Sequence, residues 1–368
     1  MGAENSSKPV ESGQSKTESA GVDPLKKDLP QNDLPGRELA GSGLMKAIVQ
    51  DEFGEAKHVL RLEEIARPEI AADKVLIRVH AAGIDGGVWH FMAGMPLPMR
   101  LSGQGLRTPK YRVRGREVAG VIEAVGADVT TLRPGDEVFG IGEGCFAEYA
   151  TASPAKLVAK PKNVTFTQAA AVSISAITAL QAVRDAAQVQ AGEKVLVIGA
   201  SGGVGTFAVQ IAKAFGAEVT GVCSTSKVDL VQSIGADHVI DYKRAEITSR
   251  GQHYDVILDT GGNRKLRLLR RALTPKGRLV IVGGETGGRL LGGFERGLRA
   301  PLYSLFVSQK MTGLMASEKG QDLAVLAELL ESGKVVPAIG RTFPLSETPA
   351  AVQYLKDGHA RGKLVITV

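Results

Sequence analysis

Between residues 45 and 160, apolar and polar positions change over in short runs. Residues 46–50 and 60–65 read as strands, and residues 74–80 alternate cleanly with period two. After a Gly/Pro-containing connection, residues 118–125 read as another strand. Pro134, Gly135 and Asp136 form a turn signal feeding a strand to residue 140, and residues 146–160 continue in β. Many short strands divided by turns predict a small β-barrel. The period changes near Thr167. Residues 167–188 are Ala-rich with apolar positions at helical spacing, and Thr167 is placed to be the N-cap. Strands over 194–198, 218–222, 238–240, 255–258 and 278–282 then alternate with helices over 204–215, 228–234 and 266–273. That alternation predicts a parallel sheet covered on both faces, an α/β unit. Residues 363–368 read as a last strand, open to either half.

The first 44 residues break the pattern. They hold no aromatic residue, and Val10 and Val22 are their only β-branched aliphatics, so they predict a disordered tail. The tail has no apolar h-region and carries 7 acidic against 5 basic residues, which fits neither a signal peptide nor a transit peptide. A chain of 368 residues predicts about two domains. No apolar run approaches the roughly 18 residues that span a bilayer, so no membrane partner is expected. Two distant cysteines, Cys145 and Cys223, exclude a four-cysteine zinc site and a disulfide framework, and a cytoplasmic setting is expected. The net charge of +6 suits a ligand that carries phosphates. The basic clusters at 107–116 and 264–271 hold a single aromatic residue, Tyr111, which makes no aromatic platform, and no nucleic-acid partner is expected.

The strand over 194–198 enters Ala200, Ser201, Gly202, Gly203, Val204 and Gly205, and a helix leaves them. With the next strand at the right distance this makes a βαβ unit that binds a dinucleotide. Gly202 lets backbone N–H groups approach a pyrophosphate, Gly205 lets the helix pack on the strand, and the helix N-terminus offers positive partial charge. Ala200 replaces the first glycine of the motif, which is tolerable at negative φ. At the end of the second strand, Cys223, Ser224, Thr225, Ser226 and Lys227 supply hydroxyls and a cation but no acid before Asp229. An NAD site has an Asp or Glu there for the ribose 2′-hydroxyl. Ser224 and Lys227 instead suit a 2′-phosphate, so NADPH is the expected cofactor.

Taken in order, GREVAG at 115–120, VG at 125–126, PGDEV at 134–138, FAEY at 146–149, the turn at 200–205, GAD at 235–237 and RGK at 361–363 resemble the medium-chain dehydrogenase/reductase superfamily, in its zinc-independent quinone oxidoreductase-like branch. The resemblance runs from Met45 to Val368. It implies a GroES-like β-barrel catalytic domain over 45–166 and 335–368 and a doubly wound Rossmann domain over 167–334, with cofactor and substrate in the cleft between. It also implies that Ser224, Lys227 and Tyr242 surround the adenosine 2′-phosphate, that Thr178, Gly283 and Lys363 lie near the nicotinamide half, and that the protein is a homodimer, with the apolar segment 279–282 extending a sheet across the two-fold axis.

Zinc-dependent relatives have metal ligands where this chain has Asp85, Arg116 and a residue near Ser175, and the insertion carrying a structural zinc is missing between Asp136 and Cys145. No metal is expected, since arginine cannot ligate a cation. Asp85 and Arg116 are expected to pair where the metal would be. Without a Lewis acid, hydride transfer suits an already activated small-molecule acceptor, a quinone or an α,β-unsaturated carbonyl. The loop from Asp85 through Trp89 and His90 is expected to line the substrate pocket. Trp89 is read either as a stacking platform or as a packing anchor, and His90 either as proton donor or as a structural histidine. The competing functions are NADP-dependent alcohol or aldehyde oxidoreduction, and NADPH binding without catalysis.

Overall fold

The computed structural model describes residues 43–97, 100, 105–248, 251–262, 264–283 and 294–368. The tail expected over residues 1–44 lies outside these, apart from Gly43 and Leu44, and Leu44 already opens a strand. β1 (Leu44–Val49) and β2 (Arg61–Ala66) pair antiparallel. β3 (Val75–Ile84), β4 (Glu117–Val125), β5 (Glu137–Ile141), β6 (Tyr149–Ala152) and β7 (Leu157–Ala159) follow. β8 (Lys194–Ile198), β9 (Glu218–Cys223), β10 (His238–Asp241), β11 (Tyr254–Asp259), β12 (Leu273–Ile281) and β13 (Lys310–Gly313) alternate with helices, and β14 (Ile339–Pro344) and β15 (Lys363–Thr367) end the chain.

β8 to β13 make a parallel sheet in the order β10-β9-β8-β11-β12-β13. The order reverses at β8, so a crevice opens beyond the carboxyl ends of β8 and β11, where such sheets bind ligands. β8 is apolar along Val195, Leu196, Val197 and Ile198, all buried, because helices cover both faces. β12 was expected at an edge, available for a two-fold partner. It is interior, because β13, which the sequence pattern did not reveal, pairs along it from Arg278 to Ile281.

The second sheet runs β14-β15-β3-β4-β5-β7, with β6 sharing β3. The last strand therefore returns to this half. Among the described residues the ladders do not close into the expected barrel. The β1–β2 pair stands apart and touches the rest through single bridges, Ala47 to Ala147 and Val49 to Val113. Side-chain packing of Met45, Ala47, Val49 and Ala147 closes that flank in place of a continuous ladder.

Two boundaries differ from the sequence reading. The N-cap is Thr165, whose side chain and that of Gln168 satisfy each other's backbone N–H groups in a capping box. The helical region then runs as Phe166–Ala170, Ser173–Leu180 and a π-helical turn Gln181–Ala186. The segment read as a loop after Asp85 is the helix Gly86–Ala93, started by the Asp85 side chain and ended at Gly94 in the left-handed region.

Candidate active site

The glycine turn sits at the reversal point. Gly199 takes the left-handed conformation (φ 78°), which leaves Ala200 free of a positive φ, and Gly202 caps the 12-residue helix Gly203–Ala214. A Cβ on Gly205 would lie 2.0 Å from the Gly199 carbonyl oxygen, so close packing demands glycine there. Among the described residues a Cβ on Gly202 would meet only that same oxygen, at 3.4 Å, which leaves space in front of the helix N-terminus. The first-turn N–H groups of Gly203, Val204 and Gly205 have no acceptor within their helix and point into that space. This cradle fits a pyrophosphate. Ser201 does a second job: its carbonyl accepts from the Gly362 N–H (2.8 Å), pinning the start of β15 onto the turn.

At the ends of β9 and β10 the structure brings Ser224, Lys227 and Tyr242 together. The Tyr242 N–H donates to the Cys223 carbonyl (3.1 Å), and the Lys227 N–H donates to the Ser224 carbonyl (2.9 Å). The acids nearby are engaged. Asp241 accepts from Thr225 Oγ1 (2.7 Å), and Asp229 pairs with Arg361 (2.7 Å). Lys227 Nζ donates to the carbonyls of Ala360 (2.7 Å) and Gly358 (3.3 Å), so it ties this end to the chain leading into β15.

At the other end, Lys363 is buried and its ammonium donates to Glu117 Oε2 (2.5 Å) and to Ser175 Oγ (3.0 Å). The register of β15 on β3 sets Leu364 opposite Ile84, which brings Lys363 level with Asp85. Glu117 is fully buried at the start of β4, and its second oxygen accepts from the Ile174 N–H (2.8 Å). Burial pushes the Glu117 carboxyl up, and the Lys363 ammonium opposes that rise. Gly83 makes room: a Cβ there would come within 2.4 Å of Glu117 Oε2 and 2.3 Å of the Ala170 carbonyl. Thr178 lies on the helix of Ser175, its hydroxyl bound to the Ile174 carbonyl (2.8 Å). Gly283 follows β12, with its N–H on the Asp259 carbonyl (3.3 Å).

The expected Asp85–Arg116 pair does not form. Asp85 Oδ1 accepts from the Gly87 N–H (2.6 Å), while its Oδ2 is buried with no hydrogen-bond partner among the described residues. Arg116 turns the other way, onto Glu318, which also takes Lys156 Nζ (3.0 Å). Helix capping claims the one side chain, and a carboxylate 202 residues along the chain claims the other. The Arg116 guanidinium lies 5.8 Å from the Phe91 ring centre, so it still borders the helix Gly86–Ala93. Trp89 packs against the core of the second sheet, edge-to-face with His90 (4.6 Å) and 5.9 Å from Lys356 Nζ. His90 Nδ1 hydrogen-bonds the Met95 carbonyl (3.1 Å), and burial holds the ring below the usual histidine range. These contacts favour an anchor and a neutral structural histidine.

Glu117 and Glu318 were not singled out from the sequence. Glu117 stood inside a quoted motif, where a carboxylate opening an apolar strand was its only signal. Glu318 carried none.

The description "Alcohol dehydrogenase GroES-like domain" matches residues 71–162, and "Zinc-binding dehydrogenase" matches residues 234–366. The second implies a metal, and these residues do not fit one. An ammonium and a guanidinium stand among the candidate positions, and among the described residues no group of three or more His, Cys, Asp or Glu could hold an ion. The chain is 35% identical over 365 residues to the mitochondrial NAD(P)H oxidoreductase RTN4IP1 of Mus musculus, covering 89% of this chain and 90% of that one. It is 33% identical over 342 residues to the chloroplastic NADPH-dependent alkenal/one oxidoreductase of Arabidopsis thaliana, covering 88% and 79%. Among solved structures, the quinone oxidoreductase of Coxiella burnetii superposes with a TM-score of 0.75 at 30% identity, covering 89% of this chain and 100% of that one.

Proposed function

Because the chain belongs to the medium-chain dehydrogenase/reductase superfamily, among its NAD(P)H oxidoreductases, we propose that it is a zinc-independent, NADPH-dependent reductase that transfers hydride to a quinone or an α,β-unsaturated carbonyl. The observation that carries this reading is the Lys363 ammonium held by Glu117 and Ser175, beside the glycine turn, where a metal-dependent site would need neutral or anionic donors. A site without a Lewis acid suits an acceptor that is activated already. NADPH, when bound, supplies the hydride. The chain's own residues bind and orient: the turn at 201–205 takes the pyrophosphate, Ser224, Lys227 and Tyr242 take the 2′-phosphate, and Thr178, Gly283 and Lys363 border the nicotinamide half. Asp85, Trp89, His90 and Arg116 border the acceptor.

The reading keeps two domains, 45–166 with 335–368 and 167–334, and a cytoplasmic homodimer. Among the described residues no helix is long and apolar enough to cross a membrane. The two-fold contact moves from β12 to the edge strand β13, flanked by exposed Leu298, Leu302 and Phe306. Light scattering that returns a monomer removes the dimer from the reading.

The test is NADPH oxidation at 340 nm by the purified chain against quinones, enones, aldehydes and alcohols, repeated with NADH. Turnover of quinones or enones with a clear NADPH preference is expected. Turnover confined to alcohols and aldehydes, or tight NADPH binding with no turnover, overturns the proposal.

A further inference from the structure

A buried lysine needs compensation, since an unpaired buried charge costs several kcal/mol. Lys363 has it in Glu117, and it spends a second N–H on the Ser175 hydroxyl. Ser175 Oγ accepts that bond, so its own proton is directed elsewhere. The neighbour on the other side is the cofactor cradle: a Cβ on Gly203 would lie 3.4 Å from Ser175 Oγ and 3.2 Å from Lys363 Cδ. A hydroxyl backed by an ammonium, itself backed by a carboxylate, therefore abuts the pyrophosphate turn on one side, while Lys363 stands level with Asp85, which opens the helix bordering the acceptor, on the other. The arrangement is held rigidly. Glu117 is fixed by the Ile174 N–H at the start of Ser175's own helix, and Lys363 by the pinning of Gly362 to Ser201.

We propose that Ser175 is the acid that completes enone reduction, that Lys363 is its proton reservoir, and that Glu117 is a positioning residue holding Lys363. This rests on the hydride-transfer reading above. Once the β-carbon of the acceptor has taken the hydride, the displaced π electrons lie on the enolate. A C–H bond forms at the α-carbon as the Ser175 O–H bond breaks, and the Ser175 oxygen takes a proton from Lys363 Nζ. Solvent returns a proton to the neutral amine after the saturated carbonyl leaves. Each turnover consumes one hydride and one solvent proton. A reduced quinone carries its charge on ring oxygens that bulk water can protonate, so quinone turnover depends on the relay far less.

The experiment compares the full chain with its Ser175→Ala, Ser175→Thr and Glu117→Gln variants under saturating NADPH, with one enone and one benzoquinone, in H₂O and D₂O. Ser175→Ala removes a single oxygen from a helix and is expected to fold. Enone kcat should fall about 100-fold, the range of a lost general acid. The fall in quinone kcat should be about tenfold smaller, and Ser175→Thr, which keeps the hydroxyl, should recover most of the enone rate. Deuterium at the product α-carbon should enter one face in wild type and both faces in Ser175→Ala. Glu117→Gln should give the same enone-selective loss. Unchanged enone turnover with one-faced labelling, or an equal loss on both acceptors with weakened NADPH binding, overturns the relay alone. A wild-type chain inert to both acceptors overturns the function on which it rests.

Discussion

Arg116 is paired with Glu318, not with Asp85, and the contact joins the second sheet to the segment after β13 on the parallel sheet. That segment is itself held from behind: Gln181 Nε2 donates to the Ser317 carbonyl (2.6 Å), and the Ser317 N–H returns a bond to Gln181 Oε1 (2.9 Å). Burial raises the Glu318 carboxyl, but Arg116 and Lys156 outweigh it and hold the group below the usual range. A lowered folded value means that the stabilisation is complete above the ordinary glutamate value and is lost as pH falls through the folded one. Glu318→Gln should lower stability by about 1 kcal/mol near neutral pH, the scale of a partly exposed pair. The difference from wild type should vanish in acid. Thermal melts from pH 7 to 3 check this, and a constant difference across that range contradicts it.

The two motif glycines separate folding from binding. A Cβ at Gly205 would collide with backbone at 2.0 Å, whereas at Gly202 it would rest at 3.4 Å. Gly205→Ala should destabilise the chain by about 1–3 kcal/mol through overpacking. Gly202→Ala should melt like wild type and yet bind NADPH poorly, because the methyl group fills the pyrophosphate space. Calorimetry and a fluorescence titration with NADPH check both. Equal NADPH affinity in Gly202→Ala and wild type argues against this cradle.

Lys227 bears on the choice between the two dinucleotides. Replacing it by alanine should raise the KM for NADPH by about tenfold, roughly 1.4 kcal/mol, and leave the KM for NADH nearly unchanged. A parallel rise for both would mean that Lys227 acts only through its bonds to the Gly358 and Ala360 carbonyls.

His90 sets a second pH dependence of the opposite origin. Burial lowers its value from the ordinary 6.5, so the folded chain prefers the neutral ring and the unfolded chain binds the proton more readily. The stability it confers is full above about 6.5 and is lost as pH falls below it. His90→Gln should flatten the melting temperature between pH 7 and 5 relative to wild type. An unchanged slope would show that the ring does not titrate with folding.

Local chemistry made the cofactor half legible. A strand, a glycine turn, a helix and a second strand lie within about thirty residues, and the tightest glycine, Gly205, answers to a contact a few residues away, at Gly199. Periodicity likewise gave the alternating strands from β8 to β12, because a sheet buried on both faces writes apolar runs directly into the chain. It failed where partners are distant or the signal is short. β13 is four residues long and takes its place only by pairing with β12. The sequence put Asp85 and Arg116 in the right neighbourhood, but a side chain's partner is chosen by what the whole fold brings within reach. The cap at Gly87 and the carboxylate of Glu318 lay closer in space than the two did to each other. Tertiary structure alone united Glu117, Ser175 and Lys363, which come from β4, the helix Ser173–Leu180 and the last strand. Once buried together their charges must balance, because low-polarity surroundings leave no other source of compensation.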